Sequence, residues 1–198
     1  MTANTLGQPR VAQSPLLLSA WSTILGAVLT FVLGIPLASF QAQVPLPWWI
    51  PALNALSHVL LLVGVVGLVR SGAAGQSRLA SAGLGLTLLG LGVLTLAEFI
   101  SLYSLDLAIP FYSVSTLIMM LGLIVVGVAV LRARRWTGWH RFTPLACGLY
   151  VPLVMMPSFA LPGYAANYAI GAWGVCWLLL GLAQLAEGTG RPFADARG

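Results

Sequence analysis

The chain has 198 residues, of which 59% are apolar and 7% are charged. A soluble domain carries about a quarter charged residues, so this chain has too few to cover a globular surface. The composition excludes an ordinary soluble enzyme, a disordered chain and a free nucleic-acid binder, and it predicts an integral membrane protein. The net charge of +5 fits this class, because basic residues flank membrane spans on the cytoplasmic side.

Six apolar stretches are long enough to cross a bilayer as helices, which takes about 20 residues each. They are Leu16–Phe40, Ala52–Arg70, Leu79–Leu102, Tyr112–Leu131, Thr143–Leu161 and Ala165–Glu187. Their continuous apolar character favours helices over barrel strands, in which polar and apolar residues alternate. We therefore predict an all-α polytopic membrane protein, a six-transmembrane-helix bundle forming a single membrane domain over residues 1–198, with a mobile tail over residues 188–198.

The distribution of arginine predicts the orientation of these spans. All nine basic residues are arginines, and they occur in both tails and in the second and fourth loops. The first, third and fifth loops carry none. Six spans place every arginine-bearing segment on one face, so both termini are predicted to be cytoplasmic (N-in/C-in). The absence of lysine is typical of GC-rich coding, so we expect a multi-pass protein of the bacterial cytoplasmic (inner) membrane.

The first span carries a small residue at every fourth position. The series is Ser22, Gly26, Thr30, Gly34 and Ala38. Small side chains let another helix backbone approach closely, so this stripe predicts a helix-packing face. The alternative is coincidence, since the chain contains 22 glycines.

Two ionisable residues, His58 and Glu98, lie inside the predicted spans, where such side chains are costly and are therefore candidates for function. At 1.5 Å per residue, His58 lies about 18 Å from Arg70 and Glu98 about 30 Å from Arg78, so both fall in the outer half of the bundle. Other polar residues are expected at the same level and suggest a pocket that opens outward. The candidate ligand-binding residues are Asn54, His58, Thr95, Glu98, Ser101, Asn167 and Tyr168.

Alternatives remain for these residues. His58 either forms a structural hydrogen bond, for example to Glu98, or handles a ligand or a proton. The aromatic side chains at the outer end either cap the pocket or form an interfacial belt. They are Trp48, Trp49, Tyr103, Phe111, Tyr112 and Tyr164.

The fourth loop is strongly basic and contains tryptophan. Its lipid-headgroup or partner candidates are Arg132, Arg134, Arg135, Trp136, Trp139 and Arg141. One interpretation is a topology anchor with tryptophan at the headgroup level. The other is docking of an anionic lipid or of a protein partner.

No catalytic machinery is visible: the chain has no Walker loop, HExxH, CxxC or Ser–His–Asp set. His58 and Glu98 are too few ligands for zinc, so no metal site is expected, and no cofactor is assigned.

We expect a non-enzymatic membrane protein that uses its helix bundle to bind an apolar or amphipathic ligand, a partner membrane protein or a second copy of itself. The alternative is a small transporter or proton-coupled carrier that uses His58 and Glu98. The expected surroundings are the lipid bilayer, without nucleic acid.

Overall fold

A computed structural model describes residues 13–40 and 47–189, with side chains described for 15–34 and 47–189. The helices are α1 (Gln13–Phe40), α2 (Trp49–Ser71), α3 (Arg78–Ser101), α4 (Leu105–Ala133), α5 (Thr143–Tyr150), α6 (Met156–Ser158) and α7 (Ala165–Gly188). A 3₁₀ turn, His140–Phe142, precedes α5, and a π-helical turn, Val151–Met155, joins α5 to α6. The described ranges contain no β-strand, which confirms the predicted all-α class.

Among the described residues, five helices are long and apolar enough to cross a membrane. They are Pro15–Gly34 within α1, Trp49–Ser71, Arg78–Ser101, Leu105–Ala133 and Ala165–Gly188. Their outward faces expose large apolar side chains, such as Leu25, Leu89 and Leu121. Such a surface is suited to lipid rather than to water. The structure is therefore compatible with a membrane protein, but five helices rather than six meet this length.

The predicted fifth span, Thr143–Leu161, is not one continuous α-helix. Pro152 and Pro157 have no backbone N–H to donate to the carbonyl four residues earlier. The N–H of Met156 instead donates to the carbonyl of Val151, five residues earlier, which is the π-helical pattern. The helical stretch then ends at Ser158. Hydropathy could not reveal this interruption, because the side chains around both prolines are apolar.

Three other helices begin at least three residues earlier than the sequence predicted. Helix α1 begins at Gln13 rather than at Leu16. Helix α4 begins at Leu105 rather than at Tyr112, because the side chain of Ser104 caps it by accepting a hydrogen bond from the N–H of Leu107. Pro110, expected in a loop, lies inside this helix. Helix α2 begins at Trp49 rather than at Ala52.

The predicted tail falls mostly beyond the described part of the chain. Gly188, its first residue, is the last residue of α7. Residues 190–198 are outside the described residues, so the expected mobility there stays a prediction.

The helices pack in a closed ring that follows the chain. Each of α1, α2, α3 and α4 packs against the next helix, while α7 packs against α5 and returns to α1. Close approach of α3 and α4 depends on glycine: a Cβ on Gly90 would lie 2.8 Å from the backbone nitrogen of Met119, and one on Gly122 would lie 2.6 Å from the nitrogen of Thr87. Fully buried apolar side chains, including Trp177, Leu91 and Leu123, fill the interior.

The loop arginines gather at one end of this ring. The guanidinium of Arg135, just after α4, donates to the carbonyl of Gly72, just after α2. His140, before α5, lies 3.3 Å from the carboxylate of Glu187 near the end of α7. We call this end of the helix ring the basic end and define it by Arg70, Arg78, Arg132, Arg134, Arg135 and Arg141.

Candidate functional site

Three polar side chains from three consecutive helices meet near the end opposite the basic end. The hydroxyl of Tyr112 (α4) donates a 2.7 Å hydrogen bond to Oε2 of Glu98 (α3). Nδ1 of His58 (α2) lies 3.8 Å from Oε1 of the same carboxylate. Glu98 is only 5% exposed. We call these three residues the His–Glu–Tyr cluster.

Chain geometry explains why they meet. Glu98 lies one turn before the end of α3, and Tyr112 lies two turns into α4. The short link between the two helices therefore places both side chains at the same level. His58 joins them from α2, which packs on the other side of α3.

The two oxygens of the Glu98 carboxylate differ in their surroundings. Oε2 accepts from Tyr112, whereas the 3.8 Å between Oε1 and His58 is too long for a hydrogen bond. Within the described ranges, Nδ1 of His58 is buried and has no hydrogen-bond partner. Nδ1 of His58 and Oε1 of Glu98 are too close for another atom to fit between them, but a polar group lying to one side of the pair would be within hydrogen-bond reach of both.

The other candidates of the outer half are only partly gathered here. Ser101 donates to the backbone carbonyl of Glu98, and Thr95 donates to that of Leu91 in its own helix. Asn54 is half-buried, one turn before His58 on α2. Asn167 is buried, and its backbone carbonyl lies beside Gly34 of α1, whereas Tyr168 is exposed. Asn167 therefore belongs to the contact between α7 and α1, and Tyr168 belongs to the surface.

The residues of the small-residue stripe contact two helices rather than one. A Cβ on Gly26 would lie 2.9 Å from the carbonyl oxygen of Ser57 in α2, and the Thr30 hydroxyl lies 3.2 Å from that of Ser57. Gly34 instead lies against the backbone of Gly171 in α7. Ser22 is buried. The side chain of Ala38 is outside the described residues.

The two tryptophans of the basic loop differ in exposure, although the sequence suggested that both lie at the level of the lipid headgroups. Trp136 is buried, with 3% exposure, and so is not available to lipid headgroups. Trp139 is exposed and meets the His140 ring edge-on, and the guanidinium of Arg141 lies 4.7 Å from the centre of the Phe142 ring. Arg132 and Arg134 are exposed.

Sequence reasoning missed two polar contacts between helices. Tyr112 was assigned to the aromatic cap or belt, although its spacing from Glu98 across a short link was visible. Gln184 gives no comparable signal in the sequence, because its side chain is not ionisable. It is buried in α7, where its Nε2 donates to the carbonyl of Gly64 in α2 and its Oε1 lies 2.9 Å from the hydroxyl of Thr23 in α1.

Comparisons with protein-family models, with curated proteins and with solved structures found no match to this chain. Its function is therefore inferred from its own residues and their geometry.

Proposed function

We propose that the protein is a membrane protein that binds a small amphipathic ligand at the His–Glu–Tyr cluster. The observation that carries this proposal is the buried Nδ1 of His58, which has no hydrogen-bond partner among the described residues and lies 3.8 Å from Oε1 of Glu98. Buried polar groups ordinarily have partners. A ligand whose polar head hydrogen-bonds to both atoms would supply the missing partner.

The surroundings of the cluster favour a ligand that is otherwise apolar. Leu56 and Val59 flank His58 along α2, and Phe99 follows Glu98 on α3; all three expose their side chains at this level. A molecule reaching the cluster from the bilayer would keep its apolar part against these side chains. The site therefore suits an amphipathic molecule dissolved in the membrane better than a polar solute.

We also propose six crossings with both termini cytoplasmic. Helix α4 ends at the basic end, and α7 runs back to that end, where Gly188 lies beside Leu16 of α1. The chain between α4 and α7 must therefore return to the opposite end. At 1.5 Å per residue, the helical stretch from Thr143 to Ser158 covers about 24 Å, and it exposes Leu153 and Val154. The arginine distribution supports a bacterial cytoplasmic membrane with the basic end inside.

Mass spectrometry of the purified protein tests the ligand proposal. The full chain would be purified from native membranes in mild detergent, and its bound small molecules extracted and quantified. We expect one amphipathic compound to be retained by the wild type and lost from His58→Ala and Glu98→Gln. Ser113→Ala is the matched control, because this exposed hydroxyl at the same level donates only within its own helix, to Ile109. Equal retention by all four proteins would refute the site.

A proton-coupled carrier is the second candidate, because two ionisable side chains face each other in the cluster. The packing between the cluster and the basic end favours binding instead. There the interior is filled by buried apolar side chains, including Leu61, Val65 and Met119. Accumulation of the copurified compound in proteoliposomes, driven by an imposed pH gradient, would establish the carrier.

A further inference from the structure

A cavity lies at the basic end, far from the His–Glu–Tyr cluster. It has a volume of about 370 Å³, within the range typical of small-molecule sites. It opens between the last turn of α4 and the link that leads into α3. Its lining includes Arg132 and Arg135, with Gln76, Ser77 and Leu79 on the facing side.

The fold directs both arginines to this cavity. Arg134 adopts a left-handed conformation, with φ of 52°, that ends α4 and turns the chain. Such a conformation is unusual for a residue other than glycine. Trp136, buried immediately afterwards, anchors the turn. Arg135 is then held by its hydrogen bond to the carbonyl of Gly72, which leaves most of its five N–H donors available.

Within the described ranges, Arg132 and Arg135 form no ion pair with a carboxylate. Among the described residues, no carboxylate lies within ion-pair distance of any arginine, since the two pairs found both involve histidine. Guanidinium groups bind phosphate oxygens well, because their planar N–H donors match that geometry.

Apolar residues border the same cavity. Leu79 is exposed at the start of α3, and Ala129 and Ala133 belong to the last turns of α4. A site with two arginines that form no ion pair among the described residues, next to an apolar wall, matches a molecule with a phosphate head and an acyl chain. We propose that this cavity binds the phosphate headgroup of an anionic phospholipid, with one acyl chain along Leu79.

Binding to phospholipids of defined headgroup tests the proposal. The purified full chain would be titrated with phosphatidylglycerol and, separately, with phosphatidylcholine in nanodiscs at about 0.15 M salt, where exposed charges are screened beyond about 8 Å. Native mass spectrometry would count the bound lipids. We expect wild type to retain phosphatidylglycerol selectively, and Arg132→Gln/Arg135→Gln to bind it about 25-fold more weakly, at about fivefold per arginine.

The matched control is Arg134→Gln/Arg141→Gln, which removes the same charge from the basic end but leaves the residues that line the cavity. We expect this control to lose much less affinity. Equal losses in the two double variants, or no preference for phosphatidylglycerol over phosphatidylcholine, would overturn the proposal. The proposal would also be overturned if inorganic phosphate alone competed for the site as strongly as phosphatidylglycerol does. Arg135 also holds the link after α2, so the double variant could fail to fold. In that case Arg132→Gln alone replaces it in the test, with an expected loss of about fivefold in affinity for phosphatidylglycerol.

Discussion

The Tyr112 hydroxyl lies 2.7 Å from Oε2 of Glu98 and joins α4 to α3 near the end of the bundle opposite the arginines. This contact satisfies one oxygen of a carboxylate that is 5% exposed. The other oxygen faces His58 at a longer distance. The Glu98 carboxylate therefore makes a hydrogen bond between helices through Oε2, whereas its Oε1 lies too far from His58 for a hydrogen bond.

Tyr112→Phe removes the structural bond and keeps the ring. We expect a loss of about 1 kcal/mol in the free energy of unfolding, within the range measured for hydrogen bonds between membrane helices. The measurement is reversible unfolding in mixed micelles. Tyr103→Phe is the control, because Tyr103 is 92% exposed. A loss of similar size in both variants would contradict the assignment.

A double-mutant cycle tests whether His58 and Glu98 act together. His58→Ala/Glu98→Gln should lose less stability or ligand affinity than the sum of the two single losses, because each single change already removes their interaction. The coupling should be at least about 0.5 kcal/mol for residues in contact. Strict additivity would show that the two residues act separately.

Leucine at two glycines of α1 should disrupt the bundle. Gly26→Leu and Gly34→Leu each force a side chain into the backbone of a neighbouring helix, with a cost of about 1–3 kcal/mol or more. Thermal unfolding in detergent measures the effect. Gly85→Leu and Gly92→Leu are the controls, since nothing lies within 4 Å of a Cβ at either position. Unchanged midpoints for all four variants would place the stripe against lipid.

Two threonines allow a matched test of Gln184. The single hydroxyl proton of Thr23 is within reach of both the carbonyl of Ser19 and Oε1 of Gln184, whereas Thr95 donates to the carbonyl of Leu91 in its own helix. Thr23→Val should therefore destabilise the protein by about 0.5–1 kcal/mol more than Thr95→Val does. Gln184→Leu should abolish most of that difference. A difference that persists in the Gln184→Leu background would rule out the contact as its cause.

Reporter fusions test the number of crossings. Fusions at Gly7 and at Gly190 should both report a cytoplasmic position if the stretch around α5 and α6 crosses the membrane. A fusion at Gly163 should report the external side. Termini on opposite sides would leave five crossings and would remove support for the sixth.

The long helices were predictable because crossing a bilayer demands a continuous apolar run, which hydropathy detects directly. The π-helical turn was not predictable in this way, because it depends on which backbone N–H groups Pro152 and Pro157 lack rather than on apolarity. The start of α4 was missed for a related reason. Pro110 suggested a loop, whereas the Ser104 cap starts the helix before it.

The residues of the candidate site also differ in whether the sequence alone could identify them. His58 and Glu98 stood out because ionisable residues inside spans are rare. Tyr112 and Gln184 did not, because their roles depend on which helices are neighbours, and a single sequence does not state the order of helices around a ring. The burial of Trp136 was hidden for the same reason: nothing local distinguishes it from the exposed Trp139.

The contact between Gly34 and Gly171 has a genetic consequence. At this crossing, a Cβ on Gly171 would lie 2.8 Å from the Cα of Gly34. Every missense change of a glycine codon adds at least that one carbon atom, so neither position has a conservative replacement. In a saturation-mutagenesis library selected for folded protein, both codons should tolerate only synonymous changes, whereas Gly85 on the open face of α3 should accept many amino acids.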